Sequence, residues 1–338
     1  MKIILDAFGG DNSPDCIING GLLALEKYSD LEIVFVGYKD VLEAKLSQRK
    51  YDKNRVSIVE SNSVITNDDS PAESIRSKKD SSIVIGYDHL KNNDDCSAFI
   101  SAGSTGAVLS GALLKLGRLK GVMRPALAPL LPTKTGGQTL IIDCGANVDS
   151  KPEYLCQFAI MGSIYMSTLF GIEKPRVALL NIGVEDHKGN AFTKDVFAKM
   201  KELPINFVGN MEARDVTSGH YDVVVCDGFS GNVLLKATEG GALLVLKEMK
   251  NAIKSSLKSK IGALFMKKSL KSLAKKMDYN KYGGSPFLGC KKTVIKSHGS
   301  SDEVTILACI EQAIKLNNNK INEKINEELT KVNIEGEA

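Results

Sequence analysis

The strongest constraint on this 338-residue chain is a junction that recurs along it: a β-branched, apolar run of strand length ends in a polar, glycine-bearing turn. Lys2-Ile-Ile-Leu-Asp6 runs into Ala7-Phe-Gly-Gly-Asp11, and Ala98-Phe-Ile-Ser101 runs into Ala102-Gly-Ser-Thr-Gly106. Thr139-Leu-Ile-Ile-Asp143 runs into Cys144-Gly-Ala-Asn147, and Val177-Ala-Leu-Leu-Asn181 runs into the turn Ile182 to Asn190. Asp222-Val-Val-Val-Cys226 runs into Asp227-Gly-Phe-Ser-Gly-Asn232. In an open parallel sheet, ligands bind outside the carboxyl ends of the strands. Five such turns therefore describe one site. Glycine lets backbone amides approach an anion closely, and Ser, Thr, Asn and Lys add donors. The pattern predicts an enzyme that holds something small, oxygen-rich and negative.

Between these turns, strand and helix patterns alternate up to about residue 250. Helices are predicted from Pro14 to Tyr28, Thr105 to Leu116, Lys151 to Phe170 and Gly231 to Lys250, with a polar helix opening at Ser70-Pro71. Strands are predicted at Glu32–Gly37 and Val56–Glu60. Such alternation argues a layered α/β fold with a mainly parallel sheet. The length suits one large domain or two lobes. No internal repeat and no Pro/Ser linker marks a boundary.

Residues 253–277 read differently. Ile253, Leu257, Ile261 and Leu264 share one helical face, and Met266, Leu270, Leu273 and Met277 share another, displaced in phase. This predicts two short amphipathic helices with a bend near Phe265–Met266. The tail 316–338 is rich in Asn, Lys and Glu. It reads either as a fraying helix followed by disorder or as a longer polar helix.

Composition removes several classes of function. Trp is absent and aromatics are 6%, so stacking platforms for nucleic acid are not expected. No apolar run approaches the ~20 residues of a membrane span. The chain opens directly on a strand pattern without a basic-then-apolar leader, which predicts a cytoplasmic protein. Seven scattered Cys without a C-x-x-C pair predict reduced thiols rather than disulfides or a zinc site. The net charge is +4, but Lys254 to Lys276 holds eight Lys and no acid, leaving the rest of the chain at −4. The basic character is local.

The common signatures of nucleotide, dinucleotide, zinc-hydrolase and serine-esterase sites are missing. Each remaining loop admits two readings. Gly103-Ser104-Thr105-Gly106 suits an anion cradle at a helix start, and equally a capped turn. Asp143 and Asn147 suit ordered donors in a cleft or plain satisfaction of turn amides. Asp186-His187-Lys188-Gly189-Asn190 carries a Lys that a turn does not need, and His187 reads as a solvated neighbour. Asp227 to Asn232 places a carboxylate, a hydroxyl and an amide at a helix start. His298, in Ser297-His298-Gly299-Ser300-Ser301, is structural or functional.

Together these pieces resemble the bacterial phosphate acyltransferase family of phospholipid synthesis, from Met1 to about Lys315. The resemblance rests on Asp6-Ala-Phe-Gly-Gly-Asp11, Ser101 to Ala107, Asp143-Cys-Gly-Ala-Asn147, Leu180-Asn-Ile-Gly-Val-Glu185 with Lys188-Gly-Asn190, Gly209-Asn-Met-Glu-Ala-Arg-Asp215, Asp227 to Asn232, and Tyr282 to Gly289 with His298-Gly299. Phe8, Ser104 and Ala213 depart from it, where the family usually has Met, Asn and Gly. The resemblance implies a fold similar to isocitrate and isopropylmalate dehydrogenases and phosphotransacetylase, with residues 1–315 forming one two-lobed unit around a cleft. It also implies a homodimer that moves a fatty acyl group from acyl-carrier protein to inorganic phosphate, with no cofactor and no metal.

That chemistry needs positioning and oxyanion stabilisation more than a strong base, because phosphate is already an anion. The expected catalytic residues are Lys188, Asn232, Asp227 and His298, with Lys188 neutralising phosphate or the oxyanion. Substrate binding is expected at Asp6, Gly9, Gly10, Asp11, Gly103, Ser104, Thr105, Gly106, Asp143, Asn147, Asn181, Asn210 and Ser230. Ser104, Thr105, Lys188 and Asn232 are expected to converge, with Asn147 and His298 nearby. Lys115, Arg118, Lys120 and Arg124 suit docking of an acidic carrier protein, or a solvated helix end. Leu257, Ile261, Leu264, Phe265, Leu270 and Leu273 are expected to face an anionic membrane, which makes the protein peripherally membrane-associated. The alternatives are dimer packing of that stripe or contact with a membrane-bound downstream acyltransferase. Competing functions are a coenzyme A-dependent phosphate acyltransferase, a non-catalytic membrane-surface scaffold, and an NAD- and metal-dependent decarboxylating dehydrogenase. The last would want an Arg-rich clamp and paired Asp ligands, which the sequence does not offer.

Overall fold

The computed structural model describes the backbone of residues 1–277 and 283–332 and the side chains of 1–272 and 283–332. The chain begins with β1 (Lys2–Asp6), α1 (Asp15–Lys27), β2 (Glu32–Gly37), α2 (Lys39–Ser47), β3 (Val56–Glu60), α3 (Pro71–Ser77), α4 (Ser82–Asn92), β4 (Cys96–Ser101) and α5 (Thr105–Gly111). It continues through β5 (Ala126–Leu127), β6 (Leu130–Pro132), β7 (Gln138–Ile142), α6 (Pro152–Phe170), β8 (Val177–Asn181), α7 (Ala191–Lys201), β9 (Phe207–Glu212) and β10 (Val223–Val225). It ends with α8 (Gly228–Lys254), α9 (Leu257–Phe265), α10 (Lys267–Met277), β11 (Ser285–Leu288), β12 (Thr293–Lys296), α11 (Glu303–Asn318) and α12 (Ile321–Lys331).

These strands form two sheets. A seven-stranded sheet has the order β3-β2-β1-β4-β12-β11-β5, and a five-stranded sheet has the order β6-β7-β10-β8-β9. Pairing is parallel except where β11 joins β12 and β5, and where β6 joins β7. The central strands are buried along nearly their whole length, as Ile3, Ile4, Leu5, Val223, Val224 and Val225 show. Burial on both faces explains why they read as continuous apolar runs rather than alternating ones. The first sheet draws on both ends of the chain and the second on its middle. The chain therefore leaves the first sheet at β5–β6 and returns at β11–β12. The outward crossing is the short step from β5 to β6, and the return passes through α8, α9 and α10.

Two differences from the sequence reading have clear causes. The helix predicted from Thr105 to Leu116 is α-helical only to Gly111 and widens over Ala112–Leu116, where the Gly117 N–H donates to the Ala112 carbonyl (2.8 Å). The polar tail is α12, and it buries Ile321, Ile325 and Leu329. Those residues recur at helical spacing, so the face packs even though the composition is polar. Residues 333–338 of the tail lie outside the described residues.

Candidate active site

The glycine turns gather in two groups, one at the end of each sheet. In the first, Ser101 Oγ donates to Asp6 Oδ2 (2.6 Å) and accepts from the Gly103 N–H (3.0 Å). Asp6 is buried, and burial raises its carboxyl above the usual range, against the Ser101 bond that lowers it. A Cβ at Gly9 would lie 2.5 Å from the Gly103 nitrogen, so the two turns touch backbone to backbone. The Asp11 N–H donates to the Gly299 carbonyl (2.8 Å), which adds the β12 turn to the same group. Gly10, with φ +94°, lets the chain reach that contact.

In the second group Asp143 is the organiser. Its carboxylate accepts from the N–H groups of Leu127 (2.9 Å), Ala146 (3.1 Å) and Asn147 (2.6 Å), and from Asn147 Nδ2 (2.9 Å). Asn147 Nδ2 also donates to the Pro125 carbonyl (2.9 Å). Burial raises Asp143 above the usual carboxyl range, and these donors oppose it. Both side chains are thus committed to building the turn. Asp227 caps α8, accepting from the Ser230 N–H (2.9 Å). A Cβ at Gly231 would overlap the Asp143 carbonyl, which is how α8 starts so close to the end of β7.

Between the groups lies a cavity of about 130 Å³. The first sheet contributes Thr105, Lys296, Ser297 and His298 to its wall. The second sheet and α8 contribute Cys144, Asn232, Leu235, Lys236 and Glu239. The β5–β6 crossing adds the apolar wall Leu127, Pro129, Leu130 and Leu131. Asn232, Leu235, Lys236 and Glu239 stand at i, i+3, i+4 and i+7, so one face of α8 lines the cleft. Lys236 Nζ pairs with Glu239 Oε2 at 2.7 Å. The Ser300 N–H donates to His298 Nδ1 (3.2 Å), which puts the proton of the neutral ring on Nε2. Burial, then the Lys236 charge, pushes His298 below its ordinary value, so the ring is neutral at neutral pH.

Of the residues expected to converge, Thr105, Asn232 and His298 share this wall. Ser104 precedes Thr105 as the first residue outside α5 and makes no side-chain cap. Gly106 follows within α5, and Pro71 lies where its Cβ would be. Lys188 is not in the wall. It sits half-buried in the turn after β8, with its stem against Gly183 and its N–H on the Glu185 carbonyl (3.0 Å). Asn181 and Asn210 hold that turn: Asn181 Nδ2 donates to the Lys188 carbonyl (3.2 Å) and to Asn210 Oδ1 (3.1 Å), and Asn210 Nδ2 donates to the Glu185 carbonyl (2.9 Å).

Sequence reasoning missed Lys236, Glu239 and Lys296. The first two were readable as the continuation of the Asn232 face by one and two helical turns. Lys296 carried no such signal.

The basic residues beyond α5 divide. Lys115 pairs with Asp88 (3.1 Å), Arg118 donates to the Met123 carbonyl (2.8 Å), and Arg124 lies over the Tyr154 ring (5.9 Å to its centre). Arg118, Lys120 and Arg124 remain exposed. On α9 and at its end, Leu257 (73%), Leu264 (70%) and Phe265 (87%) are largely exposed, and Ile261 is about half exposed. Leu270 is half-buried. The side chains of Leu273 and Met277, and the whole of Tyr282, lie outside the described residues. Among the described residues no helix is long and apolar enough to cross a membrane.

A family model described as "Fatty acid synthesis protein" matches residues 1–324. A phosphate acyltransferase of Clostridium perfringens (strain SM101 / Type A) is 48% identical over 332 residues, covering 98% of this chain and 97% of its own. A phosphate acyltransferase of Clostridioides difficile (strain 630) is 45% identical over 335 residues, covering 99% and 98%. Among solved structures, a phosphotransacetylase from Streptococcus pyogenes superposes with a TM-score of 0.62 at 15% identity, over 94% of both chains. A branched-chain phosphotransacylase from Enterococcus faecalis V583 gives 0.57 at 14%, over 93% of this chain and 98% of its own. The structural likeness supports the α/β fold. The sequence likeness spans both sheets and the cleft between them, so the chain belongs to the fatty acid synthesis protein family and is a phosphate acyltransferase.

Proposed function

We propose that the acyl donor is an acyl-carrier-protein thioester and that inorganic phosphate takes the acyl group in the cleft between the two sheets. A phosphate oxygen attacks the thioester carbonyl, the tetrahedral oxyanion collapses, and the C–S bond breaks to release the carrier thiolate. A C–O bond to phosphate forms in its place, giving acyl phosphate. The observation that carries this reading is the cavity wall itself: hydroxyl, amide and imidazole donors at Thr105, Asn232 and His298 share it with the apolar residues Leu127, Pro129, Leu130 and Leu131. Preorganised donors of this kind stabilise an oxyanion, and the apolar stretch suits the acyl group. Lys188 remains our candidate for a second positive group, from the turn after β8.

The exposed Arg118, Lys120 and Arg124 support an acidic carrier as donor, through steering and register. Coenzyme A is the competing donor. The deciding experiment supplies purified protein and phosphate with either acyl-carrier protein or acyl-coenzyme A and measures acyl phosphate. Preference for the carrier supports the reading; equal or better use of coenzyme A overturns it. The exposed apolar residues of α9, set among Lys254, Lys258, Lys260, Lys267, Lys268 and Lys271, support shallow contact with an anionic membrane. Leu243, Leu244 and Val245 of α8 are also exposed and support a homodimer.

A further inference from the structure

Lys296 ends β12 with only 8% of its surface exposed, and it lines the cleft cavity. Its strand pairs with β4 so that Lys296 stands opposite Ser101, immediately before the Ala102–Gly106 turn. Nζ donates to the Ala102 carbonyl (3.4 Å) and to the Ser297 carbonyl. An ammonium carries three N–H donors. Two are accounted for by uncharged acceptors, and the ion pairs found among the described residues leave Lys296 out. Asp6 and Asp11 act on it only through space.

Lys292, four residues earlier, shows what a structural lysine does in this fold. It donates to the carbonyls of Leu90 (2.8 Å), Asn93 (2.9 Å) and Cys96 (3.0 Å), closing the end of α4 with all three donors in use. Lys296 makes fewer bonds, is more deeply buried, and faces a cavity rather than a helix end. A buried cation without an adjacent anion is costly unless an anion arrives. Burial lowers it from 10.5 to about 8, which still leaves it charged at neutral pH.

We infer that Lys296 is the residue whose charge holds the phosphate in this cleft, with Thr105 and His298 beside it and Asn232 across from it. The inference rests on the reading above that phosphate enters the cleft between the sheets. It assigns the buried positive charge to Lys296 rather than to Lys188, which lies outside the wall, or to Lys236, which is exposed and already paired with Glu239.

The test compares wild type, Lys296→Met and the control Lys292→Met. Inorganic phosphate is titrated against the thermal midpoint in a phosphate- and sulfate-free buffer, and initial rates are measured against phosphate and against acyl-carrier protein. Phosphate should raise the midpoint of wild type and of Lys292→Met, and leave that of Lys296→Met unmoved. The Michaelis constant for phosphate should rise tenfold or more in Lys296→Met, with little change for the acyl donor. Lys296→Gln carries the same readouts if the methionine variant is insoluble. Unchanged phosphate protection and an unchanged phosphate Michaelis constant in an active Lys296 variant would overturn the inference while leaving the reaction intact. Wild type that is protected by phosphate through Lys296 yet forms no acyl phosphate would overturn the reaction and leave the phosphate site standing.

Discussion

Replacing Lys296 by Met probes how the cleft is built without any substrate present. Burial is the main reason its ammonium titrates near about 8 instead of 10.5; Cys309, Asp6 and Asp11 favour the charged form, and Lys236 disfavours it. His298 feels the same Lys296 charge from the adjoining turn. The folded value is the lower one, so between the two values the unfolded chain holds the extra proton and stability rises with pH. Below about 8 both states are protonated and the full cost of the buried charge stands, about 3 kcal/mol at ~1.36 kcal/mol per unit. Methionine fills a similar volume and binds no proton. The bonds lost to the Ala102 and Ser297 carbonyls set an offset between the two proteins, and the proton sets the slope. The difference in unfolding free energy should move in favour of wild type by about 2 kcal/mol between about pH 7 and about pH 9.5. Urea unfolding followed by circular dichroism, in buffer without phosphate, measures it. A difference that stays flat to within ~0.5 kcal/mol over that range would refute the claim that Lys296 is a desolvated cation.

Other changes read other parts of the cleft and its surroundings. Asn232→Ala should lower kcat by about 10²–10³ through loss of one oxyanion donor, with the unfolding midpoint unchanged, as steady-state rates and a thermal melt will show. Lys188→Ala should cut turnover in a folded enzyme; near-normal rates would remove Lys188 from the mechanism. Lys120→Glu combined with Arg124→Glu should raise the Michaelis constant for acyl-carrier protein at low salt, and the increase should shrink as salt is added. Wild type should sediment with anionic vesicles and not with neutral ones, and Leu264→Glu should weaken that binding; no sedimentation at low salt would assign α9 and α10 to a protein interface.

Much of the scaffold is visible in the sequence because its signals are local. β1, β2, β3 and β8 occupy the residues that their runs predict; in β1, β2 and β8 burial on both faces leaves little room for a polar interruption, while β3, at the sheet edge, is only half-buried. The bend between α9 and α10 falls at Met266, where the apolar stripe changes phase. What escapes sequence reading depends on distant partners. β5 and β6 are two and three residues long and exist only because β11 and β7 pair with them. α12 hides its packed face, Ile321, Ile325 and Leu329, inside an Asn, Lys and Glu composition that reads as tail.

The site divides along the same line. Which turns carry donors is legible, but which of them meet is decided by strand order, and β12 beside β4 with β10 beside β7 is a long-range outcome. This is why a conspicuous Lys188 drew the eye and an inconspicuous Lys296 did not. In the sequence Lys188 stands in a polar turn that has no structural need for it, whereas Lys296 ends a Thr-Val-Ile-Lys strand in the ordinary manner of a solvated terminus. The fold reverses their surroundings. The turn after β8 leaves Lys188 half-buried beside exposed neighbours, while the Ser101 turn and the β11–β12 hairpin close around Lys296 and withdraw it from water. A charge gains most leverage on an incoming anion where solvent cannot screen it. Residue type alone cannot report that leverage, because the low-dielectric surroundings are assembled by strands drawn from both ends of the chain.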